Sequence, residues 1–171
     1  ASKNLFKDTP SHWLKTWIDL NSIKKKKVEK VNFIGFCGNR NPQRNDYIDK
    51  LTEMYGMKQD IFVIGDDMVN AINSYQIHFN KNLGHPHGLS YRVAETFACG
   101  SVLLTNSSYM YEDLGMKDRE NCLIYDTFED IIEQLDWVKK EDRIERISSE
   151  GYKLRTQFSP ETAATFLENL L

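Results

Sequence analysis

The chain alternates short apolar runs with segments of helical period, and this alternation constrains its fold most strongly. The runs are four to six residues long and rich in β-branched and aromatic residues, and they lie at 31–36, 61–64, 75–79, 102–105 and 122–125. Such runs are typical of strands buried on both faces. Strands that alternate with helices imply right-handed crossovers. The sequence therefore predicts a doubly wound α/β domain, with a mostly parallel sheet and helices on both faces.

Helices are predicted between and after these strands. Apolar residues repeat at i, i+1, i+4, i+7 and i+8 from Tyr47, and the pattern ends at Gly56, a residue type common after helix ends. Thr127 and Ser159 are predicted N-caps, the second followed by Pro160 at the first helical position. The helical segments expected from these patterns are 11–23, 47–55, 128–138, 142–155 and 159–171.

Length favours one folded unit. A chain of 171 residues suits a single domain with its own core. We expect residues 1–30 to hold an N-terminal helix and a lysine-rich connection, and residues 31–171 to form the α/β domain. The lysine run, Lys24 to Lys27 with Lys30, is expected to be a solvated connection rather than a surface for anionic partners.

Composition excludes several classes of protein. The net charge is −3, from 22 basic and 25 acidic side chains, so charge gives no support for nucleic-acid binding. The three widely spaced cysteines form neither a disulfide framework nor a thiolate zinc site. No apolar stretch approaches the roughly 20 residues of a transmembrane helix, and no signal peptide is apparent. A reducing, cytoplasmic location is expected.

Ligands of doubly wound sheets bind beyond the carboxyl ends of the strands. Gly38, Asn39 and Arg40 follow the first strand, and Arg44 comes soon after. Glycine lets the backbone approach a ligand closely, and the arginines either neutralise phosphate oxygens or are solvated. Neither Gly-x-Gly-x-x-Gly nor a P-loop is present, so NAD binding and P-loop ATPase chemistry lose their main signatures.

A second strand end carries Gly65, Asp66 and Asp67. This run is similar to a motif of haloacid-dehalogenase-type phosphatases, but the nucleophilic Asp-x-Asp of those enzymes is missing after the first apolar strand. Asp66 and Asp67 are expected instead to cap the helix that begins there.

The most specific segment is 84–100, where a glycine-containing loop runs into a helix predicted to be capped by Ser90. Backbone N–H groups at such a helix start favour an anion. Arg92 in the first turn can bind a phosphate, and Glu95 on the same face can accept hydrogen bonds from ribose hydroxyls. The segment therefore favours a nucleoside diphosphate, with a surface ion pair between Arg92 and Glu95 as the alternative.

His85 and His87 flank a proline in the same loop. No third ligand is spaced to complete a metal site with them, so a histidine facing a sugar or a phosphate is the preferred interpretation.

The stretch from Gly88 to Thr105 resembles the carboxyl-terminal half of GT-B glycosyltransferases, and most closely the CgeB-like branch of group 1. The shared pattern is Gly, Arg92, Glu95, a small residue with Cys-Gly, and then an apolar strand. Residues 33–35 with Arg44, 77–80 and 141–152 are similar to further segments of that family. The resemblance covers roughly residues 31–171 and implies a Rossmann-like domain that holds a nucleotide-sugar donor.

The family pattern assigns roles to individual residues. Glu95 resembles the ribose-binding glutamate, Arg92 the helix arginine and Arg44 the arginine near the donor phosphates. The turn facing the diphosphate corresponds to Gly88, Leu89 and Ser90. Many GT-B enzymes have a glutamate where this chain has His87, or His85 in another alignment, so the contacts to the donor sugar depart from the pattern. With Gly38, Asn39 and Arg40 added from their position after the first strand, the expected set is Arg44 and Arg92 as catalytic residues and donor binding by Gly38, Asn39, Arg40, His87, Gly88, Leu89, Ser90 and Glu95.

The implied mechanism is electrostatic. Helix N–H groups and arginines would stabilise the departing nucleoside diphosphate of a UDP-, GDP- or dTDP-sugar, without a metal and without a tightly bound cofactor. The base that activates the acceptor is expected in an acceptor-binding domain or partner chain. The chain begins with Ala1 rather than Met, and we expect no turnover by this chain alone. The alternative is a non-catalytic Rossmann-like module for interaction or for regulatory nucleotide binding.

Overall fold

A parallel β-sheet forms the centre of the molecule. The computed structural model describes residues 16–83, 89–140 and 142–169. Within those residues the sheet has five strands in the order β2-β1-β3-β4-β5, and every pairing is parallel. The strands are β1 (Asn32–Cys37), β2 (Lys58–Asp60), β3 (Tyr75–Asn80), β4 (Val102–Asn106) and β5 (Leu123–Tyr125). The predicted Rossmann-like α/β architecture is confirmed.

Helices cover both faces of the sheet. They are α1 (Pro42–Tyr55), α2 (Gly65–Ser74), α3 (Tyr91–Cys99), α4 (Phe128–Val138), α5 (Arg143–Lys153) and α6 (Pro160–Glu168), with 3₁₀ helices at Glu112–Leu114 and Leu154–Phe158. Ile34 and Phe36 of β1 pack with α1 and α4, whereas Cys37, at the end of the same strand, packs with α2. Successive residues of the strand therefore pack into apolar layers on opposite faces of the sheet, as the near-continuous apolar runs predicted. In the described part of the chain, no helix is long and apolar enough to cross a membrane.

Helix ends follow the predicted capping residues. The Thr127 side chain accepts a hydrogen bond from the Asp130 amide, and the Asp130 carboxylate accepts one from the Thr127 amide, which completes a capping box. Ser159 caps α6, with Pro160 at its first position. Gly56 follows α1 in the left-handed conformation, with φ of 63°. The helix α1 begins earlier than its apolar stripe, because Asn41 caps it ahead of Pro42.

The second strand departs from the prediction. The run 61–64 is not a strand, and β2 is instead the polar segment Lys58–Asp60 just before it. Phe62 has φ of +59°, a left-handed conformation that breaks an extended strand, and its side chain is 78% exposed. Because β2 lies at the edge of the sheet, its main-chain hydrogen bonds to β1 are enough to hold it in place without apolar side chains.

Two other expectations are corrected. The N-cap of α2 is Ile64, so Asp66 and Asp67 do not cap this helix but lie in its first turn, where their charge complements the helix dipole. In the predicted helix 11–23, residues 11–15 lie outside the described residues, and 16–23 contain a turn and no helix.

Lys30 departs from the expectation of a solvated connection. Its ammonium group donates hydrogen bonds to the carbonyl oxygens of Asn73 and Tyr75 and to Ser101 Oγ, at 2.8–3.1 Å. Burial lowers the pKa of Lys30 to about 8. Lys24 and Lys27 are exposed, as expected. The end of the lysine-rich connection is therefore tied to the amino ends of β3 and β4.

Gly35 allows β1 and β3 to pack closely. A Cβ atom on Gly35 would lie 2.3 Å from the ring of Tyr75, and that ring is fully buried. The Tyr75 hydroxyl in turn donates a hydrogen bond to the Asp60 carboxylate at the end of β2. One aromatic side chain thus fixes β1, β2 and β3 relative to one another.

We expect Gly35→Ala to lower the free energy of unfolding by about 2–3 kcal/mol, because the new methyl group overlaps a buried ring. Gly56→Ala is the matched control, since nothing lies within 4 Å of a Cβ there and only its left-handed φ of +63° is unfavourable. That control should lose about 1 kcal/mol. Urea unfolding measures both values, and equal losses would contradict the close contact.

Candidate functional site

The strand order locates a crevice at one edge of the sheet. The chain passes from β1 outward to β2 and then returns to β3 on the other side of β1, so the order reverses between β1 and β3. Ligands of doubly wound folds bind at such a reversal, beyond the carboxyl ends of the strands. Here those ends are Cys37 of β1 and Asn80 of β3.

A glycine turn and an arginine meet at the end of β1. Gly38 has φ of +156°, an angle that residues with a side chain rarely adopt. Arg44, the third residue of α1, lies beside it: a Cβ atom on Gly38 would be 3.7 Å from Arg44 Nη1. The guanidinium also lies 5.7 Å from the centre of the Phe36 ring. The missing side chain of Gly38 thus leaves the backbone open next to a positive charge.

Arg44 is incompletely paired. Its Nε atom is buried and, among the residues that the structure describes, has no hydrogen-bond partner. Burial lowers the pKa of Arg44, and the nearby positive charge of Arg92 lowers it further. A buried N–H without a partner is costly, and two neighbouring guanidiniums repel each other. Both effects favour an anion at this position.

Arg92 and Glu95 form an ion pair near the start of α3. Ser90 caps this helix, its Oγ accepting a hydrogen bond from the Arg92 amide at 3.2 Å, as predicted. Arg92 Nη1 donates to the Glu95 carboxylate and contacts Met68 Sδ. Glu95 is only 8% exposed. The ion pair that was the alternative interpretation is therefore present, but it is largely buried rather than on the surface.

A cavity of about 590 Å³ opens beside this pair. Arg92, Glu95 and Asp66 supply its charged groups, while apolar side chains and the start of α2 form most of the rest. The lining includes Ile23, Ile64, Gly65, Met68 and Val69. Its volume and mixed lining are in the range of small-molecule sites. The start of α2 borders the cavity, and its N-cap residue, Ile64, makes no side-chain hydrogen bond to the first backbone N–H groups of the helix.

His78 lies beneath the crevice, and sequence reasoning gave it no role. Its ring is fully buried; Nδ1 is 2.7 Å from Thr96 Oγ1, and Nε2 accepts a hydrogen bond from the Cys37 amide at 3.3 Å. Burial lowers the pKa of His78 to about 3, and the charges of Arg92 and Lys30 act in the same direction. The imidazole is therefore neutral at physiological pH. In the sequence, the position of His78 inside an apolar strand was the feature that could have indicated a buried, hydrogen-bonded ring.

The structure brings together four of the expected site residues. Gly38, Arg44, Arg92 and Glu95 lie around the carboxyl end of β1. Burial raises the pKa of the Cys37 thiol there to about 11, and the charges of Arg92 and Glu95 contribute with opposite signs. These side chains come from β1, α1 and α3, as the strand-end argument requires.

Other expected residues are placed less directly. The guanidinium of Arg40 is bound to the Asp49 carboxylate and to two polar side chains of α1 and β2. An anion would have to compete with Asp49 for it. Asn39 is exposed, and Leu89 packs against the apolar cluster under α3. His85, His87 and Gly88 lie outside the described residues. Among the described residues, no group of three or more His, Cys, Asp and Glu side chains could hold a metal ion.

We expect His78→Asn to change the acid limb of the stability curve. The unfolded chain protonates this histidine below pH 6.5, whereas the folded chain stays neutral down to about pH 3. Folding stability is therefore lost as pH falls through this window, at about 1.4 kcal/mol per pH unit. Urea unfolding between pH 7 and pH 4.5 should show a shallower decline for the variant, and parallel curves would contradict the buried neutral ring.

Comparison with known proteins identifies the class of this fold. Residues 20–169 match the model of the glycosyl transferase-like family. No significant match occurs among curated protein sequences. The C-terminal domain of a group 1 glycosyl transferase from Francisella tularensis has a TM-score of 0.61 and 13% identity, over 82% of this chain and 97% of that domain.

Two longer glycosyltransferase structures share the same fold. Sucrose-phosphate synthase from Thermosynechococcus elongatus gives a TM-score of 0.69 at 12% identity, over 96% of this chain and 52% of that chain. HepE from Anabaena, in complex with UDP and glucose, gives 0.68 at 13% identity, over 90% and 55%. The chain thus spans about half the length of these two proteins, and its fold matches the C-terminal domains of GT-B enzymes. Because the family model covers nearly all of the described sheet and helices, the chain belongs to the glycosyl transferase-like family.

Proposed function

We propose that this chain is the donor-binding domain of a GT-B glycosyltransferase and that it holds the nucleoside diphosphate of a nucleotide-sugar. The observation that carries the proposal is the incompletely paired guanidinium of Arg44 beside the Gly38 turn, within electrostatic range of Arg92. The fold and the family membership agree with this function. We also propose that the chain belongs to the CgeB-like branch of the family.

The diphosphate lies between Arg44 and Arg92 in this proposal. An anion there pairs with the guanidinium of Arg44, whose hydrogen bonds are incomplete, and offsets the positive charge of the nearby Arg92. The start of α3 adds the positive end of a helix dipole. At Gly38, the absence of a side chain lets phosphate oxygens reach the backbone.

The ribose lies against Glu95. Its carboxylate lines the cavity and is nearly buried, so hydrogen bonds from hydroxyl groups replace few water contacts. Arg92 holds one carboxylate oxygen and fixes its orientation, which leaves acceptor sites on the other oxygen. The base then points toward the apolar part of the cavity, where Ile23, Ile64 and Val69 lie.

The chemistry assigned to this domain is electrostatic. When the bond to the sugar breaks, negative charge grows on the departing diphosphate, and positioned arginines stabilise that charge more in the transition state than in the ground state. Arginines take the role that a metal ion plays elsewhere, so we propose that donor binding needs no divalent cation. The acceptor and its activating base are assigned to another domain or a partner chain.

We expect Arg44→Gln to weaken nucleotide binding about 10- to 100-fold, because a charge-assisted bond to phosphate is lost. Calorimetric titration with UDP, GDP and dTDP measures the affinity of the wild type and the variant. For each nucleotide, the affinity with EDTA should equal the affinity without it. Arg146→Gln is the control, since Arg146 is an exposed residue of α5. Absence of binding at millimolar nucleotide, or full affinity in Arg44→Gln, would contradict the proposal.

We expect Glu95→Ala to abolish discrimination between ribose and deoxyribose. The wild-type chain should bind UDP about tenfold more tightly than 2′-deoxy-UDP, since one hydroxyl bond to a carboxylate is lost. In the variant the two affinities should converge. GDP and its 2′-deoxy form serve if the chain prefers guanine. Glu150→Ala, which removes an exposed carboxylate of α5, should keep the ratio; an unchanged ratio in Glu95→Ala would argue against ribose at this residue.

A further inference from the structure

A chain of hydrogen bonds runs through the interior from β1 to α3. The Cys37 amide donates to His78 Nε2 at 3.3 Å, His78 Nδ1 lies 2.7 Å from Thr96 Oγ1, and Thr96 Oγ1 donates to the Arg92 carbonyl oxygen. Cys37 is 1% exposed, and His78 and Thr96 are fully buried. No water competes for bonds this deep, so each group depends on the next one in the chain.

The direction of these bonds is fixed by the atoms available. Thr96 has one hydroxyl hydrogen, and the Arg92 carbonyl can only accept, so Thr96 Oγ1 must accept the other bond from His78. The ring is then protonated at Nδ1 and carries a lone pair at Nε2, which suits the Cys37 amide. Reversing one bond would place two donors against each other at the next.

The chain links the two halves of the nucleotide site. Cys37 directly precedes the Gly38 turn, which lies beside Arg44, and Thr96 lies on the helix turn that carries Arg92 and Glu95. In the sheet, His78 is paired with Gly35, so it stands between these two elements. Its ring is fully buried and cannot touch a ligand in the crevice.

We propose that His78 is a positioning residue that sets the Gly38 turn relative to Arg92 and Glu95. The diphosphate and the ribose of one nucleotide can then contact the turn and the two side chains at the same time. This inference rests on the proposed function. The charged groups that act on the ring, Arg92 and Lys30, are both positive and favour a neutral imidazole, which the bond from Cys37 requires.

Thr96→Val tests the link, because it keeps the shape of the side chain and removes the acceptor for His78. We expect nucleotide affinity to fall about tenfold and the Cys37 amide to exchange its hydrogen about tenfold faster, as expected when one buried bond is broken. Thr96→Ser restores the hydroxyl and should return both values close to those of the wild type. Nitrogen-15 spectra of the wild-type chain should show the Nδ1–H form of His78.

Thr52→Val is the matched control. Thr52 Oγ1 also donates to the carbonyl four residues earlier, Ile48, and accepts from a distant side chain, Gln59, but it lies on α1 away from His78. It should lose stability while keeping nucleotide affinity and the exchange rate at Cys37.

Each result decides a separate point. An unchanged Cys37 amide in Thr96→Val, or an Nε2–H ring in the wild type, overturns the link itself, and the second measurement does not depend on a variant that folds. Faster exchange with full affinity overturns the positioning role. A wild-type chain that binds no nucleotide contradicts the proposed function and with it the positioning role, while exchange at Cys37 still reports whether the link exists.

Discussion

The pairing of β1 with β3 decides where the crevice forms. Tyr75 at the start of β3 covers Gly35 with its ring, and this contact is possible only because Gly35 lacks a side chain. The register that results pairs Gly35 with His78 and sets the carboxyl ends of the two strands side by side. The crevice, the Gly38 turn and the helix start of α3 all take their positions from that register.

The crevice carries positive charge that the fold compensates unevenly. Arg92 is paired with Glu95, while Arg44 is partly buried and its Nε has no partner among the described residues. A buried donor without a partner lowers stability. Functional sites commonly retain such a cost when a ligand removes it, and a ligand that binds only the folded state then stabilises the protein. In the proposed function, binding of an anion between Arg44 and Arg92 reduces this cost and stabilises the folded chain.

Much of the fold follows from local chemistry that a sequence displays. Apolar β-branched runs predicted β1, β3, β4 and β5, and hydroxyl side chains predicted the helix starts at Ser90 and Thr127. The second strand could not be predicted in this way, because β2 is polar and is held by main-chain bonds to β1. The apolar run after it was misleading, since Phe62 adopts a left-handed conformation that its residue type does not suggest.

The site shows the same division. The ion pair of Arg92 and Glu95, three residues apart on one helix, was the alternative that their spacing offered, and spacing is a local property. The unpaired nitrogen of Arg44 and the contacts of His78 depend on packing between β1, β3, α1 and α3. His78 and Cys37 are 41 residues apart, and no helical or strand period relates them. A histidine within an apolar strand signals a buried polar partner but not which partner it is.

The contacts of the site also bear on which half of the reaction this domain can serve. A general base needs a free lone pair within reach of the acceptor hydroxyl. Glu95 is held by Arg92, both ring nitrogens of His78 are bonded, and the Asp60 carboxylate accepts the Tyr75 hydroxyl. In the proposed function the second oxygen of Glu95 orients the ribose, and the ring of His78 is fully buried away from the crevice. These contacts agree with the proposal that this domain holds the donor and that acceptor activation belongs to a separate domain or partner.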